Sequence, residues 1–118
     1  MRIEITGRHV EVTDAIKEYA RKRVEHHLAD FPFVQSVHVI LDVEKFRRIA
    51  EIVVTGRSHL QTEARDESED LYASIDRVVD KVVRQLNRFR EKRITRHQNG
   101  EKLGRLEARR IRGDEESE

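Results

Sequence analysis

The sequence predicts an α+β domain of order β-α-β-β-β-α: a four-stranded mixed sheet with two helices packed on one face. Four short stretches alternate apolar with polar residues, as half-buried strands do. Two longer stretches repeat apolar residues at steps of three and four, as helices with one buried face do. Glycine, proline and capping residues fall between them.

Ile3 and Ile5 alternate with Arg2, Glu4 and Thr6 in a first strand that Gly7 ends. Thr13 suits a helix N-cap, with Asp14 and Glu18 near the positive end of the dipole. Ile16, Tyr19, Ala20, Val24 and Leu28 form that helix's apolar stripe, and Phe31-Pro32 closes it. A second strand spans about Val34 to Val43, with Val37, Val39, Leu41 and Val43 on one face. Ile40, His38 and Asp42 share the other face, expected to be open and polar. Glu44-Lys45-Phe46-Arg47 is a polar connection to a third strand near Arg48–Gly56, where Ala50, Ile52 and Val54 face one way. After a turn at Gly56-Arg57-Ser58, Leu60, Thr62 and Ala64 give a short fourth strand.

Asp66-Glu67-Ser68-Glu69 has the form of a capping box for a long second helix. Its buried stripe is Leu71, Ile75, Val78, Val79, Val82, Leu86 and Phe89. Beyond Phe89 the apolar pattern stops while basic residues continue, so the helix is expected to project past the core. From about His97 glycines punctuate a charged stretch ending in Asp114-Glu115-Glu116-Ser117-Glu118. Residues 1–96 are therefore expected to form the domain and 97–118 a flexible charged tail. The first strand-helix-strand unit should make a right-handed parallel crossover.

Composition narrows the function. Charged residues make up 40% of the 118 and aromatics 5%, which limits the chain to a thin core and argues against aromatic base-stacking platforms. The absence of cysteine excludes disulfides, cysteine-based zinc sites and thiol catalysis. No stretch has the apolar length of a signal peptide or membrane span, so a cytoplasmic protein without membrane contact is expected. No Gly-x-Ser-x-Gly, Walker-type loop or dinucleotide fingerprint is present, and no enzymatic site or cofactor is expected. His38 and His59 are candidate neighbours on adjacent strands, but ordinary polar-face residues are the better reading of the histidines, and no metal site is expected.

A net charge of +1 hides strong segregation. Arg77, Lys81, Arg84, Arg88 and Lys92 recur at steps of three or four. At helical spacing they fall within roughly an 80° sector, about 140° from the apolar stripe. Between positions 77 and 96 the only acids are Asp80 and Glu91, whereas a salt-bridged solvent face would interleave them. Arg90, Arg93 and Arg96 add charge near the helix end. Lys17, Arg21, Lys22 and Arg23 repeat the theme on the first helix, and Lys45, Arg47 and Arg48 on the loop. Such a surface suits phosphate contact and structured RNA read by shape. Strands followed by a basic helix also resemble double-stranded-RNA-binding domains at the level of fold.

A longer pattern runs through Asp70-Leu71-Tyr72-Ala73-Ser74-Ile75-Asp76, Asp80-Lys81, Arg84-Gln85-Leu86, Arg88, Arg90 and Lys92. With Ile5-Thr6-Gly7, Val12-Thr13, Ala15-Ile16 and Val43-Glu44-Lys45, it resembles the ribosome hibernation promoting factor family across about residues 1–96. That family is also known as ribosome-associated inhibitors and sigma-factor modulation proteins. The resemblance implies a domain that binds the small ribosomal subunit and its ribosomal RNA, within the whole ribosome, where messenger RNA and the A- and P-site transfer RNAs sit. Inhibition would be by occlusion, and the protein would be a monomer off the ribosome. It implies RNA contacts at Arg23, Lys45, Lys81, Arg84, Arg88, Arg90 and Lys92, with Lys22, Arg47, Arg77 and Arg93 as secondary candidates. Tyr72 and Ile75 would hold the second helix to the sheet, and Asp76 and Asp80 would orient neighbouring basic groups or the helix start.

His27 departs from the family, which commonly has leucine there. The tail is also too short for the dimerisation domain of the family's long form, so the chain is not expected to pair ribosomes alone. Both short branches stay open, one cooperating in pairing and one opposing it. A transcription-modulating protein acting through protein partners is the competing class, and a generic structured-RNA binder another. Reversal of Lys81, Arg84 and Arg88 to glutamate is expected to leave folding intact and abolish binding.

Overall fold

The computed structural model describes the backbone of residues 1–103 and the side chains of residues 1–92. The chain divides into two units, Met1–Leu86 and a second beginning at Asn87. The elements are β1 (Arg2–Arg8), α1 (Asp14–Leu28), β2 (Val34–Glu44), β3 (Arg47–Gly56), β4 (Gln61–Ser68) and α2 (Leu71–Leu103). Their order is the expected β-α-β-β-β-α.

The strands form one sheet in the order β1-β2-β3-β4. β1 runs parallel to β2, as a strand joined through a helix must to lie beside its successor, and the remaining pairs are antiparallel. Register aligns the apolar positions into one face: Ile5 opposite Val39, Val39 opposite Ile52, and Ile52 opposite Ala64. Val37, Val39, Leu41, Ala50, Ile52 and Val54 are buried there. Ala20, Val24 and Leu28 of α1, and Leu71, Ile75, Val78, Val79, Val82 and Leu86 of α2, supply the buried side chains of the helices. Fully burying one such aliphatic side chain is worth about 1.5–3 kcal/mol, so this thin two-layer core holds the fold.

Local chemistry sets the boundaries. Thr13 caps α1, its hydroxyl accepting the Ile16 N–H at 3.2 Å. After α1, the Phe31 and Val34 amides close successive turns, with Phe31 and Phe33 buried and edge to face. Gly56 lies against this loop, and a Cβ there would collide with the Phe33 carbonyl. Ser58 and His59, with φ of 61 and 62°, make the two-residue turn into β4 without the glycine or asparagine such turns favour.

Three expectations need correction. The capping box is not one: Asp66, Glu67 and Ser68 are held in β4, opposite Ala50, Ile49 and Arg48. The helix is capped two residues later, where the Asp70 carboxylate accepts the Tyr72 N–H at 3.2 Å. The far face of the sheet is not uniformly polar, since Ile49 and Asp42, paired across β2 and β3, are both buried on it. Finally, α2 runs through His97 to Leu103. No proline interrupts it, and the single Gly100 costs a helix only about 1 kcal/mol. The remainder of the expected tail, 104–118, lies outside the described residues.

Candidate nucleic-acid interface

In the first unit, the exposed side of α2 carries Arg77, Lys81 and Arg84. Lys81 is not a free cation: its Nζ donates to the Arg65 carbonyl at 2.9 Å and lies 3.5 Å from the Asp66 carboxylate. One turn on, Gln85 donates to the Glu63 carbonyl at 3.1 Å and accepts from the Thr62 hydroxyl at 2.7 Å. This edge of α2 is thus stitched to β4, which fixes the helix's rotation. Arg77 and Arg84 lie off that seam, exposed and without a partner among the described residues.

The opposite flank of α2 meets α1 through Asp76. The Tyr19 hydroxyl donates to its Oδ1 at 2.7 Å and the Arg23 Nε at 2.8 Å. Tyr19 also meets Tyr72 edge to face, with ring centroids 4.9 Å apart, and the Arg23 guanidinium lies 5.5 Å from the Tyr19 ring centre. Tyr72 therefore ties α2 to α1, while the fully buried Ile75 takes the core position expected of it. Partial burial pulls the Asp76 carboxyl pKa up, but hydrogen bonds from Arg23 and Tyr19 and the charge of Arg23 outweigh it and hold it below the usual value. The bond to Asp76 raises the Arg23 pKa further and, with burial, that of Tyr19. Arg23 also lies 3.1 Å from His27 Nε2, so a polar group at His27 is accommodated at the half-buried edge of α1. Lys22 is exposed, 3.7 Å from Glu18.

Lys45 and Phe46 form the two-residue tip of the β2–β3 hairpin, with Lys45 at φ 56°. The Lys45 side chain is exposed and has no partner among the described residues. Arg47 is clamped between Glu44 and Glu67, the latter at 3.3 Å. The Ser74 hydroxyl donates to the Arg48 carbonyl, tying the hairpin's base to the first turns of α2.

The second unit continues α2 with Arg88, Arg90 and Lys92. Arg88 is exposed without a partner among the described residues, and Arg90 donates to the Asn87 side chain at 2.7 Å. The Arg93 side chain lies outside the described residues.

The histidines are dispersed. His38 Nε2 lies 3.0 Å from the Thr6 hydroxyl, whereas His59 sits in the β3–β4 turn, so the two are not neighbours. His9 Nδ1 donates to Asp42 at 3.0 Å. Burial pulls the Asp42 carboxyl pKa up, yet His9, the Val43 amide and the charge of Arg8 together keep it below its usual value. Among the described residues no group of three or more His, Asp or Glu side chains is placed to hold a metal ion. No helix among them is long and apolar enough to cross a membrane.

Sequence reading found the cations and, through the resemblance, an orienting role for Asp76, but missed Asp66 as the partner of Lys81. The partners of Asp76 were foreshadowed by Tyr19, Arg23 and His27 at four-residue spacing along one edge of α1. Nothing in the sequence marks Asp66 as a strand residue facing Lys81.

Residues 3–94 match the family model described as sigma 54 modulation protein / S30EA ribosomal protein. The chain is 37% identical over 98 residues to the ribosome hibernation promoting factor of Azotobacter vinelandii, covering 83% of this chain and 91% of that one. The factor of that name from Escherichia coli K12 is 33% identical over 95 residues, covering 78% of this chain and 96% of the relative. Among solved structures, the N-terminal domain of Thermus thermophilus Protein Y superposes with a TM-score of 0.68 at 33% identity, covering 75% of this chain and 99% of that domain. A ribosomal subunit interface protein from Coxiella burnetii, at 24% identity and a TM-score of 0.73 over 77% of this chain and 99% of that one, shares the fold.

Proposed function

Because this chain belongs to the sigma 54 modulation protein / S30EA ribosomal protein family, we propose that it is a ribosome hibernation factor without enzymatic activity. It binds the small ribosomal subunit in the cleft that messenger RNA and the A- and P-site transfer RNAs use, and inhibits translation by occupying it. Residues 1–96 carry the binding, the residues after them form a charged extension into which α2 runs, and the protein works as a cytoplasmic monomer when off the ribosome.

The observation that carries this reading is the set of arginines on α2 that the fold does not use. Arg77 and Arg84 in the first unit and Arg88 in the second are exposed with no internal partner among the described residues. Arginines that have no internal partner among the described residues are available to phosphate in each unit. Lys45 adds a free ammonium at the hairpin tip. Arg23, Lys81 and Arg47 are held by acids, so their part is to present positive charge at fixed positions, with Lys22 beside them on α1. Arg90, Lys92 and Arg93 extend the basic sequence along α2.

The test is binding of the purified protein to isolated small subunits and to free RNA hairpins across a salt series. A hibernation factor prefers the assembled subunit, and its affinity falls steeply with salt. Equal affinity for hairpins marks a generic structured-RNA binder. Capture of protein partners that survives ribonuclease, without subunit binding, marks a transcription modulator.

A further inference from the structure

The β2–β3 hairpin tip presents an aromatic side chain for which the fold has no use. The chain has two tyrosines and four phenylalanines. Tyr19 packs on Tyr72, Phe31 packs on Phe33, and Phe89 is half-buried. Phe46 is 85% exposed, far above Met1 at 54% and Tyr72 at 38%, the other large exposed apolar residues among those described. A phenylalanine at that exposure gains nothing from the core and leaves its hydrophobic surface in water.

The backbone that carries this side chain is fixed by its neighbours on the hairpin. Glu44 pairs with Arg47 across a two-residue tip, and Arg47 binds the carboxylates of both Glu44 and Glu67. Arg48 is bound through its carbonyl to Ser74 of α2, and its guanidinium lies 3.5 Å from the Lys45 carbonyl. Lys45 takes a left-handed conformation, φ 56°, that a non-glycine residue adopts at a cost. The base is clamped, the turn is strained, and the aromatic ring stands at the end.

The residues flanking Phe46 are basic. Lys45 precedes it with an ammonium that has no partner among the described residues, and Arg47, held by Glu44 and Glu67, and Arg48 follow. An exposed aromatic ring among cations suits an unpaired nucleobase, stacking on the base while the cations meet its phosphates. We infer that Phe46 is an RNA anchor which stacks on an unpaired base of the ribosomal RNA at the hairpin tip. This rests on the ribosome-binding reading above and adds to it a contact with a base rather than with phosphate.

The full-length protein and two variants, Phe46→Ala and Phe46→Trp, are to be compared for binding to purified small subunits at moderate salt. Phe46→Ala leaves thermal stability unchanged, because the side chain touches no core, and weakens binding on the order of ten-fold, as loss of one stacked base does. The chain contains no tryptophan, so Phe46→Trp places a single tryptophan, excited apart from the two tyrosines, at the tip. It binds like the parent protein, and its emission is quenched on the subunit by the stacked base. Undiminished binding by Phe46→Ala would overturn the inference while leaving the ribosome reading standing. So would emission from Phe46→Trp that shifts to the blue without quenching, which would place the residue in an apolar protein pocket. Failure of the unmodified protein to bind subunits would sink the ribosome reading itself, and the anchor with it.

Discussion

At the scale of single residues, the acids decide which cations are structural and which are spare. Asp76 gathers Tyr19 and Arg23 from the neighbouring helix, and its carboxyl pKa is held below the ordinary value. A carboxyl whose folded pKa is depressed stabilises the fold above its unfolded pKa, about 3.9, and loses that contribution as pH falls through the folded value. Asp76→Asn should therefore lower Tm at neutral pH, and the deficit should shrink as pH falls toward about 3. The side chains of Arg23 and Asp76 are 38 and 37% exposed, so solvent screening keeps the loss to about 1 kcal/mol. In a domain of this size that is ~4–8 °C in Tm. A deficit independent of pH would show that the carboxylate's charge is not what Arg23 and Tyr19 use. Lys81 calls for a different expectation from the one its sequence position suggests. Its reversal to glutamate would set two carboxylates side by side with Asp66 and abandon the Arg65 carbonyl. Lys81→Glu should lower Tm by several degrees in thermal melts, about 1 kcal/mol of stability, whereas Arg84→Glu should leave Tm within a degree or so.

At the scale of elements, α2 separates structure from function by face. The pair Arg84→Glu and Arg88→Glu should leave the helix content seen by circular dichroism unchanged. It should weaken subunit binding by more than ten-fold at moderate salt and flatten the salt dependence, since two phosphate contacts are replaced by repulsion. Retained affinity would remove these two arginines from the interface. The hairpin makes the opposite trade. Lys45→Gly relieves a left-handed backbone at φ 56° and should raise stability by up to about 1 kcal/mol in denaturant melts, while weakening binding because the free ammonium is gone. Strand and helix periods were readable because apolar residues must face the one core: Val37, Val39 and Leu41 on β2 and Val78, Val79 and Val82 on α2 all lie where their spacing puts them. The start of α2 was misread because Asp66-Glu67-Ser68 satisfies the cap pattern and a strand edge equally well, and only pairing with β3 decides between them. The turn at Ser58-His59 carries no glycine or asparagine signal, so its left-handed backbone was invisible.

At the scale of the molecule, order, sheet topology and helix placement follow from a core too thin to be arranged otherwise. With one apolar sheet face and two amphipathic helices, both helices must cover that face, and they do. The cations of the site were legible as a period in the sequence, because phosphate contact needs charge repeated along a helix. Of their internal partners Asp76 was anticipated through the family pattern, whereas Asp66 was not, because its pairing with Lys81 is made only by folding. Phe46 was passed over as part of a polar connection, since exposure of one apolar residue in a turn leaves no trace in periodicity. The central claim is occlusion of the messenger and transfer RNA cleft. Co-sedimentation of the full-length protein with small subunits, with and without messenger RNA and initiator transfer RNA, tests it most directly. Occlusion requires stoichiometric binding that those two ligands displace together. Binding that persists undiminished on subunits loaded with both would contradict it and place the protein elsewhere on the particle.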